Sequence, residues 1–258
     1  MHSDLTGYLD VAQVTLYAFW IFFACLIFYL RREDKREGYP LESDRSKRVR
    51  VQGFPAIPSP KTFALPHGGT AVAPNAARVD TREIRATPVG KFPGAPLRPT
   101  GNPMLDAVGP AAYAQRADVP DLTIDGEIKI VPLRLAPGFF LESRDPDPRG
   151  MKVVGGDGKT AGTVRDVWVD RSETIIRYLE VEVAGASGTR SVLLPMNFSK
   201  VDGVRRQVNV RSIFAKHFAD VPALRNPEQV TFLEEDRITA YYGGGTLYAE
   251  PSRSEPFM

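Results

Sequence analysis

One stretch dictates more about this chain than any other: Val11 to Leu30, VAQVTLYAFWIFFACLIFYL, twenty residues without a formal charge. As a helix rising about 1.5 Å per residue it spans roughly 30 Å, the thickness of a bilayer's hydrocarbon layer. Gln13 and Thr15 lie near its start, within reach of headgroups. Tyr17, Trp20 and Tyr29 are aromatics with a polar tip, and Tyr29 suits an interfacial belt. A cleaved signal peptide would carry Lys or Arg before the apolar run and small residues after it. Here Asp4 and Asp10 precede the run, and Arg31, Arg32, Lys35 and Arg36 follow it. That asymmetry predicts a single span, with the first ten residues outside and everything after Leu30 in the cytoplasm.

The remainder must fold in water. Of the 258 residues 25% are charged and 43% hydrophobic, as in a soluble globular chain. A net charge of +2 argues against nucleic acid as the main partner, because phosphate binding favours a strongly basic domain. The single cysteine, Cys25, can form no internal disulfide and reads as a small apolar filler, which fits the cytoplasm.

Residues 51–110 contain 11 of the 22 prolines. Each lacks a donor and fixes φ, so neither helix nor sheet is expected to run through this segment. It is either a disordered linker or an extended strap laid on another protein. The spaced apolar residues Phe54, Ile57, Phe63, Leu65, Val72, Phe92, Leu97, Met104, Leu105 and Val108 favour the strap, as anchors for a surface. His67 has no second ligand at useful spacing and reads as a loop histidine.

From about Asp121 the pattern changes. VVGGDGKTAGTVRDVWVD reads as strand, Gly-Asp-Gly turn, strand. TIIRYLEVEV alternates, with Ile175, Leu179, Val181 and Val183 on one side and Tyr178, Glu180 and Glu182 mostly on the other. SVLLPM and RRQVNVRSI supply further short strands, and this spacing predicts a small, strongly bent sheet or barrel. After it, NPEQVTFLEEDRITAYYGGG predicts a helix with Asn226 as N-cap, Pro227 at the first position and Gly243 at its end. Glu234, Glu235 and Asp236 read as its solvated face. Arg177 shares the parity of Leu179 and Val181 and so should point to the covered side, with Asp170 and Glu173 as its nearest partners. The expected architecture is a single N-terminal transmembrane helix, a long extended proline-rich segment, and a cytoplasmic mainly-β domain with a C-terminal helix.

No enzyme motif emerges. GDGKT at 156–160 has Val153 where a phosphate loop needs its first glycine, so a hairpin turn is the better account. Zinc-ligand spacing and a nucleophile elbow are absent, and this chain does not read as an enzyme by itself.

Several phrases carry a family resemblance: YLRREDKREGYPLE (29–42), PKTFALPHGGT (60–70), PTGNPMLDAVGPAAYAQRA (99–117), KIVPLR (129–134), DPDPRGM (145–151), GTVRDVWVDRSE (162–173), RYLEVEVAG (177–185) and LEEDRITAYYGGGTLYA (233–249). In these, and in the order of its parts, the chain resembles the H subunit of the purple bacterial photosynthetic reaction centre. Its 150–220 region is similar to a PRC-barrel. The resemblance implies a periplasmic tail (1–10), a transmembrane helix (11–31), a juxtamembrane motif and strap over partner subunits (32–120), and a cytoplasmic PRC-barrel domain with its C-terminal helix (121–258). It places the protein in the bacterial inner, intracytoplasmic membrane.

The same resemblance implies a role inside a complex. The partners implied are two multi-span core subunits that hold bacteriochlorophyll, bacteriopheophytin, quinones and non-haem iron, and this chain binds none of these itself. Membrane lipids are implied as contacts, and an antenna ring or cytochrome subunit as a further neighbour in some complexes. Arg31, Arg32, Lys35, Arg36 and Tyr39 would meet lipid headgroups and partner loops. The cap would pass protons to the secondary quinone through carboxylates, with Glu173 first, Asp170 and Arg177 beside it, and intake at Asp121, Asp125 or Glu127. Some members carry histidines in the stretch equivalent to 121–130, where this chain has none. A membrane-tethered PRC-barrel adaptor without photochemistry, or an enzyme with an unrecognised site in the barrel, are the rival readings.

Overall fold

The computed structural model describes residues 4–6, 9–42, 50–78, 80–92, 94–185 and 188–254. Residues 1–3 and 7–8 of the expected outer tail lie outside them. The chain forms two compact units, Met1–Val79 and Asp80–Met258.

The first unit is dominated by helix α1, Val11–Asp34, which is long and apolar enough to cross a membrane and buries none of its residues within the chain. Asp10 caps it, its carboxylate accepting the Gln13 N–H at 2.7 Å. The helix runs three residues past the expected end at Arg31. Arg31 and Arg32 complete its last turn, where cations complement the carbonyl end of the helix dipole. The charges that follow are turned back onto the chain. Lys35 is 1% exposed, and its ammonium donates to the Gln52 and Pro55 carbonyls, both at 2.6 Å. Gly53 lets that approach happen, since a Cβ there would lie 3.2 Å from Lys35 Nζ. Arg36 clasps Glu33 at 2.8 Å and donates to the carbonyls of Ser59 and Ala73 at 2.7 and 3.1 Å. The proline-rich segment is therefore not structureless: Lys61–Ala64 pairs with Thr70–Ala73, and in the second unit Ala86–Pro88 pairs with Leu97–Pro99. Two-stranded ribbons tolerate proline at their unpaired edges, which the expectation of no sheet overlooked.

The second unit is built on one curled, half-barrel sheet. Its strands are β1 (Ile130–Pro132), β2 (Lys152–Val154), β3 (Thr160–Asp170), β4 (Ile175–Gly185), β5 (Gly188–Pro195), β6 (Ser199–Asp202) and β7 (Gln207–Val210). The order is β5-β4-β3-β2-β7-β6, with β1 added beside the far end of β3. All pairings are antiparallel except β2 with β7. Val153, Val164, Leu179, Leu194 and Val208 fill the core together with Ile213, Phe218, Ile238 and Tyr242. The alternation in β4 holds from Leu179 to Val183, but Ile175, expected on the same covered side, is 45% exposed, because a register shift falls between Ile176 and Tyr178. The Tyr178 and Glu180 side is also covered; of that set only Glu182 faces solvent.

Helix α2, Phe232–Tyr248, differs from expectation at both ends. Its N-cap is Thr231, in a capping box with Glu234: Thr231 Oγ1 accepts the Glu234 N–H at 3.2 Å and Glu234 accepts the Thr231 N–H at 2.9 Å. Asn226 instead closes a short turn, accepting the Glu228 N–H at 3.0 Å. Gly243 does not end the helix. The glycines that follow it admit close neighbours: a Cβ on Gly244 would sit 2.6 Å from Ala111 Cβ, and one on Gly245 2.2 Å from Ile213 Cγ2. Packing offsets the roughly 1 kcal/mol that glycine costs in a helix relative to alanine.

Candidate functional site

The carboxylates singled out from the sequence converge where β1 and β3 end together. Asp170 closes β3 and turns its Oδ1 onto the N–H groups of Ser172 and Glu173 at 2.9 and 3.0 Å, which fixes the turn into β4. On the neighbouring strand, Lys129 precedes β1 and its carbonyl accepts the Arg171 N–H at 2.9 Å. The small hairpin 121–129 folds back so that the Lys129 N–H reaches the Asp121 carbonyl at 2.9 Å. These backbone bonds bring one ammonium among three acids. Lys129 Nζ lies 3.4 Å from Asp121, 3.5 Å from Asp170 and 3.6 Å from Glu173. Burial opposes its charge, but Asp170, Asp121 and Glu173 outweigh that and hold the ammonium above its ordinary range.

Asp170 is 1% exposed and its Oδ2 has no hydrogen bond within the chain, while the Glu173 side chain is half open to solvent. The cluster thus runs from a buried oxygen to the surface over two carboxylates. Glu127 stands at its edge, 2.8 Å from Arg171, and Asp125 is exposed at the hairpin tip.

Arg177 is not part of this group. The β3–β4 register pairs Trp168 with Tyr178 but Val169 with Ile176, so Arg177 is the extra residue of a bulge and escapes the alternation. Its side chain is half-exposed and approaches Glu235 at 4.0 Å, not Asp170 or Glu173. Glu235, expected on a solvated face, is largely buried: the Tyr178 hydroxyl donates to it at 2.6 Å. Burial pushes its carboxyl up, opposed by Tyr178, Arg177 and Arg116. The same burial, with Glu235 beside it, drives the Tyr178 phenol far above its usual range. Glu234 is committed to the helix cap and Asp236 lies 3.5 Å from Arg116, so none of the three acids is merely solvated.

A second charged cluster escaped the sequence reading. Arg134, just after β1, donates from Nη1 to Glu180 at 2.7 Å and to Asp166 at 3.0 Å, and from Nη2 to the Pro227 carbonyl at 3.2 Å. Trp168 Nε1 donates to the same Glu180 oxygen at 3.2 Å. Asp166, Trp168, Tyr178 and Glu180 share one face of β3 and β4, and a paired carboxylate on a strand looks from sequence like any solvent-facing one.

At the membrane end, Arg31 and Arg32 are exposed, and the Arg31 guanidinium donates to the Tyr39 hydroxyl at 3.0 Å. Lys35 and Arg36, expected to face lipid and partner loops with them, are engaged by this chain's own backbone. Among the described residues no group of three or more His, Cys, Asp or Glu is placed to hold a metal ion.

A sequence-family model described as the photosynthetic reaction centre H-chain N-terminal region matches residues 3–135. A second, for the PRC-barrel domain, matches residues 141–216.

Proposed function

The chain belongs to the reaction-centre H-chain family, with a PRC-barrel at residues 141–216, and from that premise we propose that it caps the cytoplasmic face of the two core subunits and helps deliver protons to the secondary quinone. The family is that of a structural, non-catalytic subunit of a reaction centre, associated with its core subunits. In this reading residues 1–10 are periplasmic, α1 is the anchor, the stretch to about residue 120 is the strap, and the remainder is the cytoplasmic cap. Bacteriochlorophyll, bacteriopheophytin, quinones and iron belong to the core subunits, and lipids meet Arg31, Arg32 and Tyr39.

Capping is supported by the apolar surface the chain leaves open. Phe54 is 83% exposed and Leu105 56%, both within the segment read as the strap. Proton delivery rests on one observation, the Lys129-centred group of Asp121, Asp170 and Glu173. A relay needs carboxylates close enough to exchange protons through water, one reaching solvent and one reaching inward. Glu173 and Asp170 have those two positions, and Asp121, Asp125 and Glu127 line the approach.

The test is the rate of the second proton uptake after flash excitation in Glu173→Gln, measured in the complex. A slowed rate is expected. An unchanged rate across pH 6–9 would remove Glu173 from the path. Purification of the tagged chain as a colourless single subunit from pigmented membranes would instead favour a membrane-tethered adaptor.

A further inference from the structure

His217 belongs to neither charged cluster described above and lies in the short 3-10 segment Ala215–Asp220. That segment joins three parts of the second unit. Asp157, in the β2–β3 turn, accepts the Ala215 N–H at 3.1 Å. Arg190 of β5 donates to the Ala219 carbonyl at 2.9 Å and to the Val221 carbonyl. Tyr241 of α2 donates its hydroxyl to the His217 carbonyl at 2.8 Å. The segment's own start is held by the imidazole: His217 Nδ1 accepts the Phe214 N–H at 3.1 Å, and the ring stacks on the Phe214 ring with centroids 5.7 Å apart.

This bond fixes the tautomer. An acceptor nitrogen carries no proton, so neutral His217 bears its hydrogen on Nε2. A second proton would have to go to Nδ1, where it would point at the Phe214 N–H, and two donors cannot share that bond. We propose that His217 is a pH-sensitive latch: neutral, it holds the Ala215–Asp220 turn against β2–β3, β5 and α2, and protonated, it lets that turn go.

The charges around the ring fit. Burial disfavours its cationic form most, Lys216 and Arg253 add to that, and Asp220 and Asp157 oppose it; the outcome is a value below the ordinary 6.5. A histidine depressed in the folded state binds its proton more readily when released. The latch therefore contributes fully above the ordinary histidine value and weakens as pH falls toward the folded-state value.

The test is hydrogen exchange of the full chain in detergent, reading protection factors for peptides covering 213–221 between pH 8 and pH 5. Wild type should lose protection there as pH falls, by at most about tenfold per pH unit for one linked proton. Peptides from the β4–β5 core should hold theirs. His217→Asn should keep the protection and lose its pH dependence, since an amide oxygen accepts the Phe214 N–H and does not titrate. An equal fall in His217→Asn, or none in wild type, overturns the proposal. If that variant cannot be purified, imidazole nitrogen shifts in wild type decide. Titration of His217 in step with lost protection supports the latch, and titration with protection retained overturns it.

Discussion

Replacing Arg134 by methionine removes the only cation in direct contact with Asp166 among the described residues, and the nearest one to Glu180. The two carboxylates are 8% and 4% exposed, so each would remain in a poorly solvated site. Breaking a fully buried pair costs about 3–5 kcal/mol. Two features reduce that figure. The Arg134 side chain is 37% exposed, so water already screens part of the attraction, and Glu180 keeps the Trp168 N–H at 3.2 Å and Arg165 at 3.6 Å. The expected loss is about 2 kcal/mol, or roughly 4–8 °C in Tm. Urea unfolding in detergent measures it, followed by Trp168 emission in a Trp20→Phe background, which leaves Trp168 as the sole tryptophan. Adding Glu180→Gln to Arg134→Met should restore part of the loss, because it removes the orphaned charge. A cost below about 0.5 kcal/mol, the range of an ordinary surface change, or strict additivity of the two substitutions would refute the reasoning.

Three further outcomes are expected. Lys35→Met unpins the Gln52 and Pro55 carbonyls, so limited proteolysis should cut near residues 52–55 several times faster while the barrel resists as before. Gly245→Ala places a methyl 2.2 Å from Ile213 and 2.6 Å from the Ser212 carbonyl, and thermal unfolding should report a loss of about 1–3 kcal/mol from overpacking. Tyr178→Phe removes the donor that lowers the Glu235 carboxyl, costing about 1–2 kcal/mol. Because that carboxyl is raised in the folded state, and raised further in the variant, the penalty should grow as pH rises through the carboxylate range and fade in acid, as stability curves at several pH values will show.

What the sequence announced was whatever depends on near neighbours. The α1 span is a local sum of hydropathy, and the β2–β3 hairpin and the β4 alternation follow from turn chemistry and period. The acids at 121, 170 and 173 were candidates through the family resemblance, and Asp170 and Glu173 also because they immediately precede Arg177. Their shared cation was not, since Lys129 meets them only through the pairing of β1 with β3. Arg177 was misplaced because parity fails at a bulge, which no alternation pattern marks. For α2, Asn226-Pro227 competed with the Thr231–Glu234 capping box, and the box, the stronger signal with its two reciprocal bonds, was overlooked. Glu180 and Glu235 are charged residues whose burial is decided by Arg134 and Tyr178, each distant in the chain.

The parallel pairing of β2 with β7 also orders events in time. A ribosome making about 5–20 residues per second needs roughly 10–35 s to travel from the end of α1 to Val210, the last residue of β7. Once β2 has been made, it lacks the partner on its open edge until β7 follows, and helix α2, which packs on the sheet, has not yet been made. The anchor is by then free of the ribosome and able to enter the bilayer, so the sheet closes on a chain already tethered.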